Sequence, residues 1–150
     1  MDVRFVRTGA RRYAIVARPA GGEQLIMDPA PGYDSYLPHD LVHYAVEAEL
    51  GLRLGIYGRL ASGGSGFRGG NAAAQRKRKR REAALRTTGH ADMARSEALT
   101  SLLEIVWKVR HGLLGEVPVW CSDLDPAADQ GQDAERVLRL LDKVAFSWTH

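Results

Sequence analysis

One cysteine, Cys121, is all that 150 residues provide, so the chain can form neither an internal disulfide nor a cysteine-rich zinc cluster. A lone thiol suits a reducing compartment, and a cytoplasmic location is expected. No apolar run approaches the roughly 20 residues that cross a bilayer, so no membrane span is expected. The start of the chain also lacks the apolar stretch of a secretory leader, because Arg4 and Arg7 interrupt Val3, Phe5 and Val6. Acidic and basic residues nearly balance, at a formal net charge of +3. Six cations are nevertheless consecutive, Arg76, Lys77, Arg78, Lys79, Arg80 and Arg81, and without them the remainder carries −3. Basicity is therefore a property of one segment and not of the whole chain.

What is present fits one domain over residues 1–150, since 45% apolar and 26% charged residues are the proportions of a packed globular protein. Three short runs with β character come first, at residues 2–7, 11–18 and 23–28, separated by turns containing Gly9 and Gly21-Gly22. In the second run Tyr13, Ile15 and Ala17 alternate onto one face, which predicts a three-stranded antiparallel meander. Such a sheet has one apolar face to cover, so three or four helices are expected to pack on it, giving an α+β fold. The turn-rich segment Asp28 to Ser35 leads into a helix that begins near Pro38, at a first helical position, and ends near Leu50 before Gly51. A short second helix is expected within residues 52–61. Residues 61–90 read as a flexible Gly-rich and basic insertion, from Ser62 and its neighbouring glycines through the cationic run. A long helix over residues 92–111 is predicted to bury Ala98, Leu99, Leu102, Ile105, Val106 and Val109. Pro118 to Ser122 can form a short strand or an extended connector. A last helix is predicted to bury Val137, Leu140, Leu141, Val144 and Trp148.

The chemistry concentrates at Leu37-Pro-His-Asp-Leu-Val-His43. Residues four apart on a helix differ by about 40° in azimuth and about 6 Å in height, so His39 and His43 can converge on one ion. Helical wheel geometry places both at the margin of the apolar arc, where a ligand is anchored by the core and an open coordination position meets solvent. Glu47 continues the row as a candidate third metal ligand, but three ligands in one line span about 12 Å of helix, so a ligand from elsewhere is needed. His90, Asp92 and Glu97 are the first candidates, followed by Asp34 and Asp28. Asp40 is the candidate catalytic acid or base, and a residue in the first turn of a helix also serves the helix dipole. Histidines at this spacing equally serve to pack or hydrogen-bond.

His39-Asp-x-x-His43 resembles the His-Glu-x-x-His motif of zinc enzymes, with the acid one methylene shorter. It is also similar to the His-Asp-x-x-His motif of a ubiquinone-biosynthesis family associated with zinc. That family carries a further Glu about eleven residues on, where this chain has Gly55. The resemblance implies a helix able to hold a metal. With His and carboxylate donors, zinc fits best, and another divalent transition metal is the alternative. The corresponding activity is that of a small metal-dependent hydrolase or lyase acting on a small molecule through activated water. A second class of function rests on Arg76 to Arg81, which can neutralise phosphates of a nucleic acid or dock an acidic protein. No aromatic side chain is interleaved with that run, so base stacking is not expected.

Overall fold

The computed structural model describes residues 1–115 and 131–149. The expected segment at Pro118 to Ser122, with Cys121, lies outside the described residues. The architecture is α+β: an N-terminal antiparallel sheet followed, among the described residues, by five helices where three or four were expected. Strands β1 (Asp2–Gly9), β2 (Arg12–Arg18) and β3 (Leu25–Met27) pair in sequence order. Phe5 faces Ile15 across the first ladder, and Ile15 faces Met27 across the second. The alternation of β2 works as the sequence predicts: Tyr13, Ile15 and Ala17 are essentially inaccessible to water.

Helix α1 (His39–Leu50) starts one residue later than expected, with Pro38 as its cap at φ −55° and ψ 139°. Pro38 still serves the helix start, because its carbonyl accepts from Leu41 and Val42. Gly51 closes the helix in the left-handed region at φ 63°, a conformation for which glycine bears no Cβ penalty. The chain then reverses into α2 (Ile56–Ala61). Helix α3 (Ala72–Thr88) is opened by the Asn71 side chain, which accepts from the Ala74 amide at 2.9 Å. Helices α4 (His90–Arg110) and α5 (Gly131–Thr149) complete the fold.

The core has two lobes. In one, Leu41, Val42, Ala45 and Val46 of α1 pack with Leu103, Val106 and Trp107 of α4 and with Val137, Leu138 and Leu141 of α5. In the other, the sheet face packs with Tyr57, Leu60, Phe67 and Trp148, and Phe5 touches both lobes. Part of the Gly-rich stretch is built onto the sheet: Ile26 and Arg68 exchange backbone hydrogen bonds of 2.8 and 2.9 Å, and Phe67 is buried beside them.

The inner face of α4 differs from the expectation. It buries Ser96, Thr100, Leu103, Val106 and Trp107, whereas Ala98 is exposed and Leu99 and Leu102 are half-buried at the edge of the core. Of the expected set Val106 is fully buried and Ile105 and Val109 are half-buried, and the buried arc is shifted because this helix turns a row of polar side chains toward α1. No helix among the described residues is long and apolar enough to cross a membrane.

Candidate metal centre

Helices α1 and α4 run antiparallel, as their contacts show: His39 meets Glu104, His43 meets Ser96 and Thr100, and Glu47 meets Ser96. On α4 the polar residues Ser96, Thr100, Glu104 and Lys108 recur every four positions, which lines them along one side of the helix. Opposite them, His39, His43 and Glu47 form the matching row on α1.

Three of these elements' donors come together. One ligand atom each from His39, His43 and Glu97 lies within 4.8 Å of the others. The two imidazole rings are nearly perpendicular, with centroids 4.9 Å apart. His43 is buried, while the side chains of His39 and Glu97 are 38% and 51% exposed, so the cluster is walled on one side and wet on the other. Of the third-ligand candidates, the fold thus brings Glu97 to the histidine pair. His90 is exposed at the start of α4. Asp92 accepts from the Leu54 amide at 3.0 Å, Asp28 pairs with Arg12 at 3.1 Å, and Asp34 accepts from the Tyr36 and Leu37 amides.

Glu47, expected as a ligand, does not join the cluster. Its carboxylate is buried and turned to the start of α2, where it accepts from the amides of Ile56 and Tyr57 at 2.8 Å each and from Gly58 at 3.4 Å. These are the amides a helix start leaves without partners. Burial raises its pKa, and the hydrogen bonds from Ser96 and the three amides work against that rise. Gly55 makes the arrangement possible, because a Cβ there would lie 2.3 Å from the Glu47 carboxyl carbon.

The tautomer of His43 follows from these contacts. Ser96 has one hydroxyl proton and gives it to Glu47 at 2.9 Å, so at 2.9 Å from His43 Nδ1 the same oxygen accepts. Nδ1 carries the proton and Nε2 the lone pair. Nε2 stands 3.4 Å from Glu97 Oε2. Burial pushes the His43 pKa down to about 4, so at neutral pH two acceptors face each other across that gap. The donor set fits a cation, which is what two such groups want between them.

His39 is held from the other end. Its Nδ1 lies 2.7 Å from Glu104 Oε2, and this hydrogen bond raises its pKa. Glu104 Oε1 takes Lys108 at 2.8 Å, and Lys108 reaches Asp34 at 2.9 Å. With Nδ1 engaged by a carboxylate, Nε2 is the free ring nitrogen. Both histidines therefore have the outer hydrogen bond that orients an imidazole toward a metal.

Asp40 lies outside the trio. Its Oδ2 accepts from the Tyr13 hydroxyl at 2.9 Å, its backbone carbonyl accepts from the Tyr57 hydroxyl at 3.0 Å, and burial raises its carboxyl pKa. The cationic run occupies the middle of α3, with Arg78 half-buried and Arg76, Lys77, Lys79, Arg80 and Arg81 exposed. Sequence reasoning missed Ser96, Thr100, Glu104 and Lys108, whose regular four-residue spacing along one side of the helix was the available signal. No family model matches the chain, and no curated protein or solved structure matches it either.

Proposed function

We propose that the chain binds a zinc ion, or another divalent transition metal, through His39, His43 and Glu97, and uses it for water-dependent chemistry on a small molecule. The observation that carries this reading is the convergence of the three donor atoms within 4.8 Å, with the His43 lone pair aimed at a carboxylate. Two histidines and one glutamate are a donor set of catalytic zinc sites, which leave a position open. The half-exposed side of the cluster suits that vacancy. When bound there, zinc would act as a Lewis acid and lower the pKa of its bound water to about 7.

This chain's own residues would then divide the work. Glu104 and Ser96 fix the rings of His39 and His43, and the Lys108 to Asp34 contacts hold Glu104 in place. Asp40 is the proton acceptor in this reading, since its raised pKa brings it closer to neutrality than an ordinary aspartate. The similarity to the His-Asp-x-x-His family extends in the same sense: both motif histidines are ligands, and Glu97 substitutes for the later Glu whose position is Gly55.

The test is elemental analysis and zinc titration of untagged protein. One zinc per chain is expected for the natural sequence, and none for His43→Ala or Glu97→Gln. Equal and negligible zinc in all three proteins overturns the proposal. In the cobalt-loaded protein, a strong visible absorption band marks four-coordination.

A further inference from the structure

A cavity of about 690 Å³ opens between the β2–β3 turn and α3, and none of the metal-centre residues lines it. Its volume lies within the range of roughly 300–1,000 Å³ typical of small-molecule sites. Pro19, Ala74 and Ala84 give the cavity its accessible apolar lining, and Leu25 and Leu60 lie behind it, only 2% and 1% exposed, as part of the core beneath the sheet. The inner face of α3 supplies Ala74 and Ala84, with Lys77, Arg78 and Arg81 between them at helical spacing. Arg80 joins that rim, and Glu23 is the one acid in the lining.

The cations are uncompensated. None of the four makes an ion pair among the described residues. Arg81 gives Nε to the Ser62 carbonyl at 3.3 Å. Arg78 is held by one nitrogen, which donates to the Gly69 carbonyl and to Gln75 Oε1, while its Nε is shut off from water without an acceptor. The other terminal nitrogen of Arg78 makes no hydrogen bond among the described residues and is not shut off in this way, so it is the donor left for an oxyanion in the cavity.

Each simpler ligand leaves half of this surface unused. Inorganic phosphate would satisfy the cations and waste the apolar wall. A neutral hydrocarbon would cover the wall and strip water from unpaired charges. A nucleic acid would want aromatic faces for its bases, and the lining has none. We infer that the cavity binds a single-chain amphiphile with an oxyanion head, its apolar body lying on Pro19, Ala74 and Ala84 and its head on Lys77, Arg78 and Arg81.

Calorimetric titration of the full chain with dodecyl phosphate and dodecanoate, below their micelle concentrations, tests this. One molecule per chain is expected, with the tighter of the two identifying the head group. Inorganic phosphate and neutral dodecyl maltoside are expected to bind at least tenfold more weakly. Lys77→Ala and Arg81→Ala should each weaken the alkyl anion about tenfold, equivalent to about 1.4 kcal/mol. Ala84→Trp, which fills the opening without changing charge, should abolish binding while the circular dichroism spectrum stays that of the natural protein. The inference is overturned if dodecyl maltoside binds as well as dodecyl phosphate, if inorganic phosphate matches it, or if all three variants retain full affinity. Binding to anionic vesicles with none to the monomeric amphiphiles, or displacement of the alkyl anion by a lower concentration of oligonucleotide, overturns it equally.

Discussion

Glu47→Gln separates the two roles open to this residue, because the substitution keeps the shape and removes one acceptor oxygen. Glu47 is 4% exposed, and its two oxygens serve four donors: Oε1 takes Ile56 and Ser96, Oε2 takes Tyr57 and Gly58. A glutamine retains one oxygen at best. If Oε1 is the one kept, the Tyr57 amide at 2.8 Å and the Gly58 amide at 3.4 Å confront an NH2 group. A buried donor left without an acceptor costs about 1–3 kcal/mol, so one strong and one long bond lost predict a destabilisation of roughly 2–4 kcal/mol. Urea unfolding of the zinc-free protein measures it. Zinc stoichiometry in the folded variant should remain one, with affinity reduced through the Ser96 link to His43. An unchanged unfolding free energy together with loss of zinc would refute the reasoning and make Glu47 a ligand.

Glu104→Gln should keep one zinc per chain but lower the affinity about 10–100-fold, as loss of an outer hydrogen bond to a ligating histidine does; zinc competition with a chelator reads this, and an unaltered affinity would show that Glu104 does not orient His39. Acid stability tests the ion chain. Burial would raise the pKa of Asp34 and of Glu104, but their contacts with Lys108, and for Glu104 with His39, lower both below their ordinary values. Depressed folded-state pKa values mean stability that is present above the unfolded values, about 3.9 for Asp and 4.3 for Glu, and lost as pH falls through the folded ones. The Asp34→Asn, Glu104→Gln double variant should therefore show a flatter urea midpoint below about pH 4 than the natural protein, and an equally steep profile would count against the chain. Leu103→Ala, at 1% exposure between α1 and α5, should lower the unfolding free energy by about 2–5 kcal/mol, and a loss near zero would mean that the site is not packed as described.

The meander was legible because alternation at Tyr13, Ile15 and Ala17 is a local signal, and so was the end of α1 at Gly51. The histidine pair was legible for the same reason, since its four-residue spacing is close to one turn of helix. Glu97 was one name among several candidates, because nothing near it in sequence records that α4 lies antiparallel on α1. Glu47 misled: its spacing is a ligand's, but the chain turns back after Gly51 and delivers three amides to its carboxylate from nine to eleven residues downstream. Hydrophobicity is a poor guide to the α4 face, because Ser96 and Thr100 are fully buried by satisfying polar groups on the opposing helix. Glycine content misled in another way. Residues 62–71 have a linker's composition, yet Ser65 and Phe67 are buried and Arg68 pairs with a strand.

That pairing bears on how the molecules behave in a crowded solution. A sheet ends in rows of amides and carbonyls that invite a foreign strand, and aggregation starts at such seams. The Ile26 to Arg68 bridge occupies the seam along β3 from within the same chain. The opposite seam, along β1, bears exposed Arg7 and exposed Arg4, the latter paired with Asp2 at 3.2 Å, and a second copy laid against it would have to strip these charged side chains of water. One side is closed by chain and the other by charge, so this small sheet is guarded against recruiting its own kind.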